Sequence, residues 1–139
     1  KVIRLPKLFS LFSQPITPSV FWEIQRQLRS ADVVHLHTPN PLFELACLRL
    51  EMPCPFVITY HCEVMKARLL NSFYRPISQA ILRKADRILV ATPFHIEFSR
   101  WLKDYESKCE VIPFGIEPKF SSRNLDTNFR LNAIKEKYG

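Results

Sequence analysis

Short apolar runs alternate along this chain with stretches long enough for one helix each, and that alternation leaves few folds open. VVHLH (33–37), PFVITY (55–60), the run from Arg87 to Ala91 and CEVIPFG (109–115) each read as a strand, and VIRL (2–5) reads as another. Between them, Thr17-Pro18 opens a helix with Phe21, Ile24 and Leu28 on one face, and Asn40-Pro41 opens a second through Leu50. A basic helical stretch follows PFVITY, with Pro76 expected to divide it, because a proline inside a helix removes a backbone hydrogen bond and crowds the preceding turn. Thr92-Pro93 opens a further helix carrying Ile96, Trp101 and Leu102. Strand and helix in strict succession imply an α/β fold with a doubly wound parallel sheet. PFVITY, apolar without alternation, suits a strand buried on both faces.

Polar chemistry gathers where the strands stop. In open parallel sheets ligands sit beyond the carboxyl ends of the strands, and here those ends carry His37, Thr38, His61 and Thr92. His35 and His37 lie two apart on one strand and share a face, His35 deeper and expected as a hydrogen-bonded core residue, His37 at the rim. His37 and His61 are therefore the cleft candidates. Asn40 and Thr92 are read as N-caps directly after strands, which turns two helix N-termini and their amides toward the same cleft. Glu63 and Lys66 follow His61 as either orienting groups or solvated loop charges, and His95 falls in the first turn of a helix. His35, His37, His61 and Cys62 lack compact ligand spacing, so no metal and no cofactor is expected.

The formal net charge of +7 favours an anionic partner. Lys66, Arg68, Arg75, Arg83 and Lys84 fall along the stretch in which Leu69, Phe73, Ile77 and Ile81 repeat at every fourth position. That pattern describes either a core-facing stripe with a solvated basic side or a helix docked on an anionic membrane through those five cations. Nucleic acid is not indicated, because aromatic residues interleaved with Lys and Arg on a strand platform are missing. No uncharged apolar run is long enough to span a bilayer. Cys47, Cys54, Cys62 and Cys109 show no Cys-x-x-Cys spacing, which suits reduced thiols in a cytoplasmic setting. Lys1 in place of Met and an end at Gly139 after a helix-like stretch make the chain read as a fragment.

Taken in order, ADVVHLHTPNPL, VITYHCEVMK, FYRPISQAILRKADRILVATP and KCEVIPFGIEPKF resemble the N-terminal domain of family 4 glycosyltransferases, retaining enzymes of the two-domain GT-B fold. The likeness covers Val2 to Phe120 and rests above all on Thr59-Tyr60-His61 and on the exit Val111-Ile112-Pro113-Phe114-Gly115-Ile116-Glu117. It implies a Rossmann-like, partial N-terminal half of a GT-B enzyme over 1–117, with 118–139 as linker and start of a second domain. His61 would lie near the sugar being transferred as the catalytic contact, with the residues around Thr38 and Asn40 toward the acceptor; His37 and Thr92, read above as part of the same cleft, join them as acceptor-binding candidates. The implied partners are a nucleotide-sugar donor, held mainly by the other domain, and a lipid-linked or glycan acceptor, at the cytoplasmic side of a membrane.

Departures from the family pattern are as specific. The glycine-rich turn after the first strand has no counterpart, nor have the paired glutamates and the Arg and Lys of the second domain. Ala91-Thr92-Pro93 stands for Thr-Ser-Pro, His61-Cys62-Glu63 for His-Ser-Asp, and Glu117 for Asp. The competing readings are a non-catalytic, membrane-peripheral or interaction module, such as a gene remnant, and a phosphosugar-binding domain.

Overall fold

The computed structural model describes residues 2–11, 14–63 and 68–115, with the side chains of residues 11, 14 and 68–71 excepted. A small antiparallel hairpin of β1 (Phe9–Leu11) and β2 (Gln14–Ile16) precedes α1 (Val20–Leu28). Then follow β3 (Val34–Thr38), α2 (Pro41–Arg49), β4 (Phe56–Tyr60), α3 (Arg68–Lys84), β5 (Arg87–Val90), α4 (Pro93–Phe98), a 3₁₀ turn (Lys103–Lys108) and β6 (Cys109–Val111). The last four strands form one parallel sheet in the order β3-β4-β5-β6, so each crossover helix returns the chain to the neighbouring strand. The expected α/β parallel sheet is thus present.

One sheet face holds the core. Leu36, Phe56, Ile58, Tyr60, Ile88 and Val90 point to it, and Cys47 of α2, Tyr74, Ile81 and Leu82 of α3, and Trp101, Leu102 and Tyr105 pack against them. Each fully buried large aliphatic side chain there contributes about 1.5–3 kcal/mol. Because side chains alternate along a strand, the register places His35, His37, Val57, Thr59, Leu89 and Glu110 on the other face, where both imidazoles are exposed. Three lysine- or aspartate-centred joints tie the layers. Lys84 Nζ donates to the carbonyls of Cys47 (2.7 Å) and Leu50 at the end of α2, Lys108 Nζ donates to those of Arg83 and Ala85 (2.7 Å each) at the end of α3, and Asp86 accepts from the Phe56 amide at 2.7 Å.

Several local expectations are corrected. VIRL is not a strand: residues 2–5 have no ladder partner among the described residues, and a strand exists only through its partner. Helix α1 starts at Val20 with Ser19 as its flanking residue, and its buried positions are Val20 and Leu28. Helix α3 runs unbroken through Pro76, which sits exposed, while Tyr74, Ser78, Ile81 and Ala85 hold the opposite side to the sheet. Phe73 is 72% exposed, outside the core stripe. A spacing of four residues advances about 400° and drifts about 40° per step, so a run that ends inside at Ile81 begins outside at Phe73. Helix α4 ends at Phe98, and Trp101 and Leu102 are buried in the turn after it. The expected helix near 128–138 and the residues from Ile116 onward lie outside the described residues.

Candidate functional site

Strand register makes the site. Thr38 pairs with Tyr60, Tyr60 with Val90, and Val90 with Val111, so the strands end flush and the residues that follow share one rim. The rim continues the ladder for one more bond on each side: the His61 amide donates to the Thr38 carbonyl at 3.1 Å and the Ile112 amide to the Val90 carbonyl at 2.8 Å.

At this rim the structure brings His37 and His61 together, with His37 Nδ1 2.9 Å from His61 Nε2 and the two rings stacked at 5.2 Å. One proton lies between these nitrogens, because a hydrogen bond needs one donor and one acceptor. The stack extends both ways. His35 lies 4.7 Å from His37, centroid to centroid, and Phe114 of the exit segment lies 5.7 Å from His61. His35 is not the core residue expected: the residue as a whole is exposed, with its Nε2 hydrogen-bonded to Thr59 Oγ1 at 2.7 Å in a partly buried contact. Loss of solvation, with His37 beside it, holds its pKa below that of a free imidazole.

The other candidates are less available than their positions suggest. Thr38 is buried, and its hydroxyl donates to the Thr59 carbonyl at 3.4 Å. Asn40 and Thr92 stand at the N-cap positions expected, but neither bonds its helix's first amides through the side chain. The backbone N–H of Asn40 donates to Glu44 Oε1 at 2.8 Å, a carboxyl reaching back from the first turn. Thr92 gives its hydroxyl to His95 Nδ1 at 3.1 Å. Of the five cations read as membrane contacts, Arg75 and Arg83 are exposed, whereas the Lys84 ammonium is turned onto the end of α2. Lys66 and the Arg68 side chain lie outside the described residues.

Two residues gain roles that local pattern did not assign. His95 Nε2 lies 3.2 Å from the His61 carbonyl, and since a carbonyl only accepts, this nitrogen carries the hydrogen. Nδ1 of the neutral ring then accepts from Thr92. Glu63 Oε1 accepts from Ser99 Oγ at 2.7 Å and from the Trp101 amide at 3.4 Å, while Ser99 accepts from Tyr60 at 3.2 Å. Burial raises the pKa of the Tyr60 hydroxyl far above the ordinary phenol value, so it donates at any working pH. The Thr92-x-x-His95 spacing, which puts both side chains in one helical turn, is the signal by which His95 was detectable. Between β4 and α4 these groups line a cavity of about 380 Å³, with Phe94 and Phe98 on its outer side. Those two rings stack at 6.0 Å and are 65% and 71% exposed, an aromatic surface beside polar groups. Among the described residues no cluster of three or more His, Cys, Asp or Glu is arranged to hold a metal ion.

Residues 1–120 match the family model for Glycosyltransferase Family 4. The chain belongs to that family. It is 33% identical over 120 residues to the D-rhamnosyltransferase WbpZ of Pseudomonas aeruginosa PAO1, covering 84% of this chain and 32% of that protein. It is 29% identical over 117 residues to the O-antigen chain mannosyltransferase C of Escherichia coli, again 84% of this chain and 32% of the relative. The chain thus spans about a third of the length of these relatives. No solved structure matches it. Membership agrees with the parallel sheet, and among the described residues no helix is long and apolar enough to cross a membrane.

Proposed function

We propose that this chain is the acceptor-binding half of a retaining, two-domain glycosyltransferase that builds bacterial surface polysaccharide. The donor is a nucleotide sugar held mainly by the other domain, and the acceptor is a glycan or a lipid-linked glycan. What carries the reading is the hydrogen-bonded pair of His37 and His61 at the flush strand ends, in a chain of this family. Retention requires a departing nucleotide diphosphate, an acceptor hydroxyl attacking from the same face of the sugar, and stabilisation of an oxocarbenium-like centre. Little covalent chemistry falls to this half. It orients the acceptor hydroxyl and closes over the sugar, so that proximity and exclusion of water lower the barrier. His61 meets the sugar being transferred; His37 and the rim around Asn40 and Thr92 face the acceptor. Thr38 is buried, with its hydroxyl given to the Thr59 carbonyl and its own carbonyl taken by the His61 amide, so it shapes the acceptor side of the rim from within the sheet. Arg75 and Arg83 supply attraction to an anionic membrane at its cytoplasmic face, each near-surface cation adding about 1 kcal/mol.

The test uses the full-length protein carrying this chain, screened for transfer from nucleotide sugars, with the anomeric configuration of donor and product compared by NMR. His61→Ala is expected to reduce turnover more than it weakens acceptor binding. Undiminished turnover in that variant would reject the role of His61, and an inverted product would reject retention.

A further inference from the structure

We propose that His95 is a positioning residue that fixes the peptide on the C-terminal side of His61 and so aims the His61 imidazole into the cleft; the inference rests on the reading of His61 given above. His61 is held at four points. Its amide donates to the Thr38 carbonyl, its carbonyl accepts from His95 Nε2, its ring Nε2 shares a proton with His37 Nδ1, and its ring face lies on Phe114. The amide belongs to the planar peptide before its Cα and the carbonyl to the planar peptide after it. Thr38 therefore anchors φ of His61 and His95 anchors ψ, while His37 and Phe114 restrain the side-chain torsions. Among the described residues the one hydrogen-bonding atom of His61 with no protein partner is ring Nδ1, the atom left to meet a ligand.

His95 is itself braced. Thr92 Oγ1 bonds its Nδ1, and Thr92 and His95 share the first turn of α4, so the clamp is referenced to a different strand and helix from the one it holds. Without His95 the peptide that follows His61 would have no hydrogen bond at its carbonyl. Glu63, bonded to Ser99 and Trp101 beyond the far end of α4, holds the same loop two residues on. Because a misplacement near 1 Å can cost about 100-fold in rate, release of ψ at His61 appears in turnover and not in substrate binding.

The experiment compares His95→Phe, His95→Gln and Thr92→Val in the full-length protein, with and without His61→Ala. Phe keeps the ring and removes both nitrogens; Gln restores an N–H donor at a reach similar to Nε2. We expect His95→Phe to lower kcat about 10- to 100-fold with the acceptor KM within about 3-fold, and Gln to recover most of that loss. In the His61→Ala background His95→Phe is expected to add nothing further, since there is no imidazole left to aim. If His95→Phe fails to fold, Thr92→Val reads the same clamp through its brace, with kcat lowered by a larger factor than the acceptor KM is raised, since Thr92 also faces the acceptor. Turnover at half the parent level or more in His95→Phe, or effects of His95→Phe and His61→Ala that multiply, overturns the positioning role while leaving His61 in place. Full activity of His61→Ala removes both.

Discussion

Tyr74→Phe deletes one hydroxyl from the joint that seats α2 under the rim, and its effect should depend on pH. The Tyr74 hydroxyl donates to Glu44 Oε1, a carboxyl that is 0% exposed and also receives the Asn40 amide. Burial raises the Glu44 pKa above the ordinary carboxylate range, against the pull of those two donors. Between the unfolded value near ~4.3 and the raised folded value, the folded state holds a proton that the unfolded state has lost, so stability falls as pH rises through that window. Tyr74 opposes this fall, because its hydrogen bond favours the ionised form. Without it the window extends upward and the loss grows. Hydrogen bonds to charged groups contribute about 1.5–3 kcal/mol and neutral ones about 1 kcal/mol. Tyr74→Phe is therefore expected to cost about 2 kcal/mol at pH 7.5 and about half as much at pH 4.0, read from urea unfolding at both values. In a Glu44→Gln background, where no carboxylate ionises, the same change should cost about 1 kcal/mol at either pH. An equal loss at pH 7.5 and 4.0 in the parent would refute the ionised-acceptor reasoning and leave Glu44 neutral throughout.

Two other predictions follow from burial and hydrogen bonding alone. Lys84→Met removes the cation that caps the end of α2 and should destabilise the protein by about 1.5–3 kcal/mol in urea unfolding while leaving sedimentation with anionic liposomes unchanged; reduced sedimentation would restore Lys84 to the membrane face. A thiol reagent at pH 8 should label exposed Cys62 within the folded state and spare Cys47, which is 2% exposed with its thiol pushed up to about 11, until the chain unfolds. Labelling of both at one rate would show that α2 opens locally.

The parts of the fold visible in the residues were those fixed by local pattern. A parallel strand buried under helices reads as an unbroken apolar run, as PFVITY does, and a strand with one face exposed reads as alternation, as VVHLH does; both were located to within a residue, and Asn40-Pro41 and Thr92-Pro93 marked two helix starts. VIRL is a similar short, mostly apolar run with no ladder partner among the described residues, because pairing is decided by residues distant in sequence. Pro76 shows tertiary packing overriding propensity: with a buried side from Tyr74 to Ala85, α3 continues unbroken across it. The site divided the same way. His37 and His61 were legible as strand ends, whereas Lys84 read as a surface charge although it reaches 37 residues back, and His95 meets a carbonyl 34 residues before it. Side chains that act across elements leave almost no local trace.

This division bears on how the rim can work. Four contacts from three segments restrain His61: β3 supplies His37 and the Thr38 carbonyl, α4 supplies His95, and the exit after β6 supplies Phe114. Three of these are tied to the packed sheet, whose close packing resists gradual deformation. Phe114 is different, being 63% exposed on a segment leading out of the described structure. If that segment is the hinge toward a second domain, as the family resemblance implies, domain movement touches the proposed catalytic ring through Phe114 while His37, Thr38 and His95 keep its backbone still. The imidazole would then adjust by side-chain rotation alone, and Phe114→Ala should loosen the dependence of turnover on closure without lowering the melting temperature of the sheet.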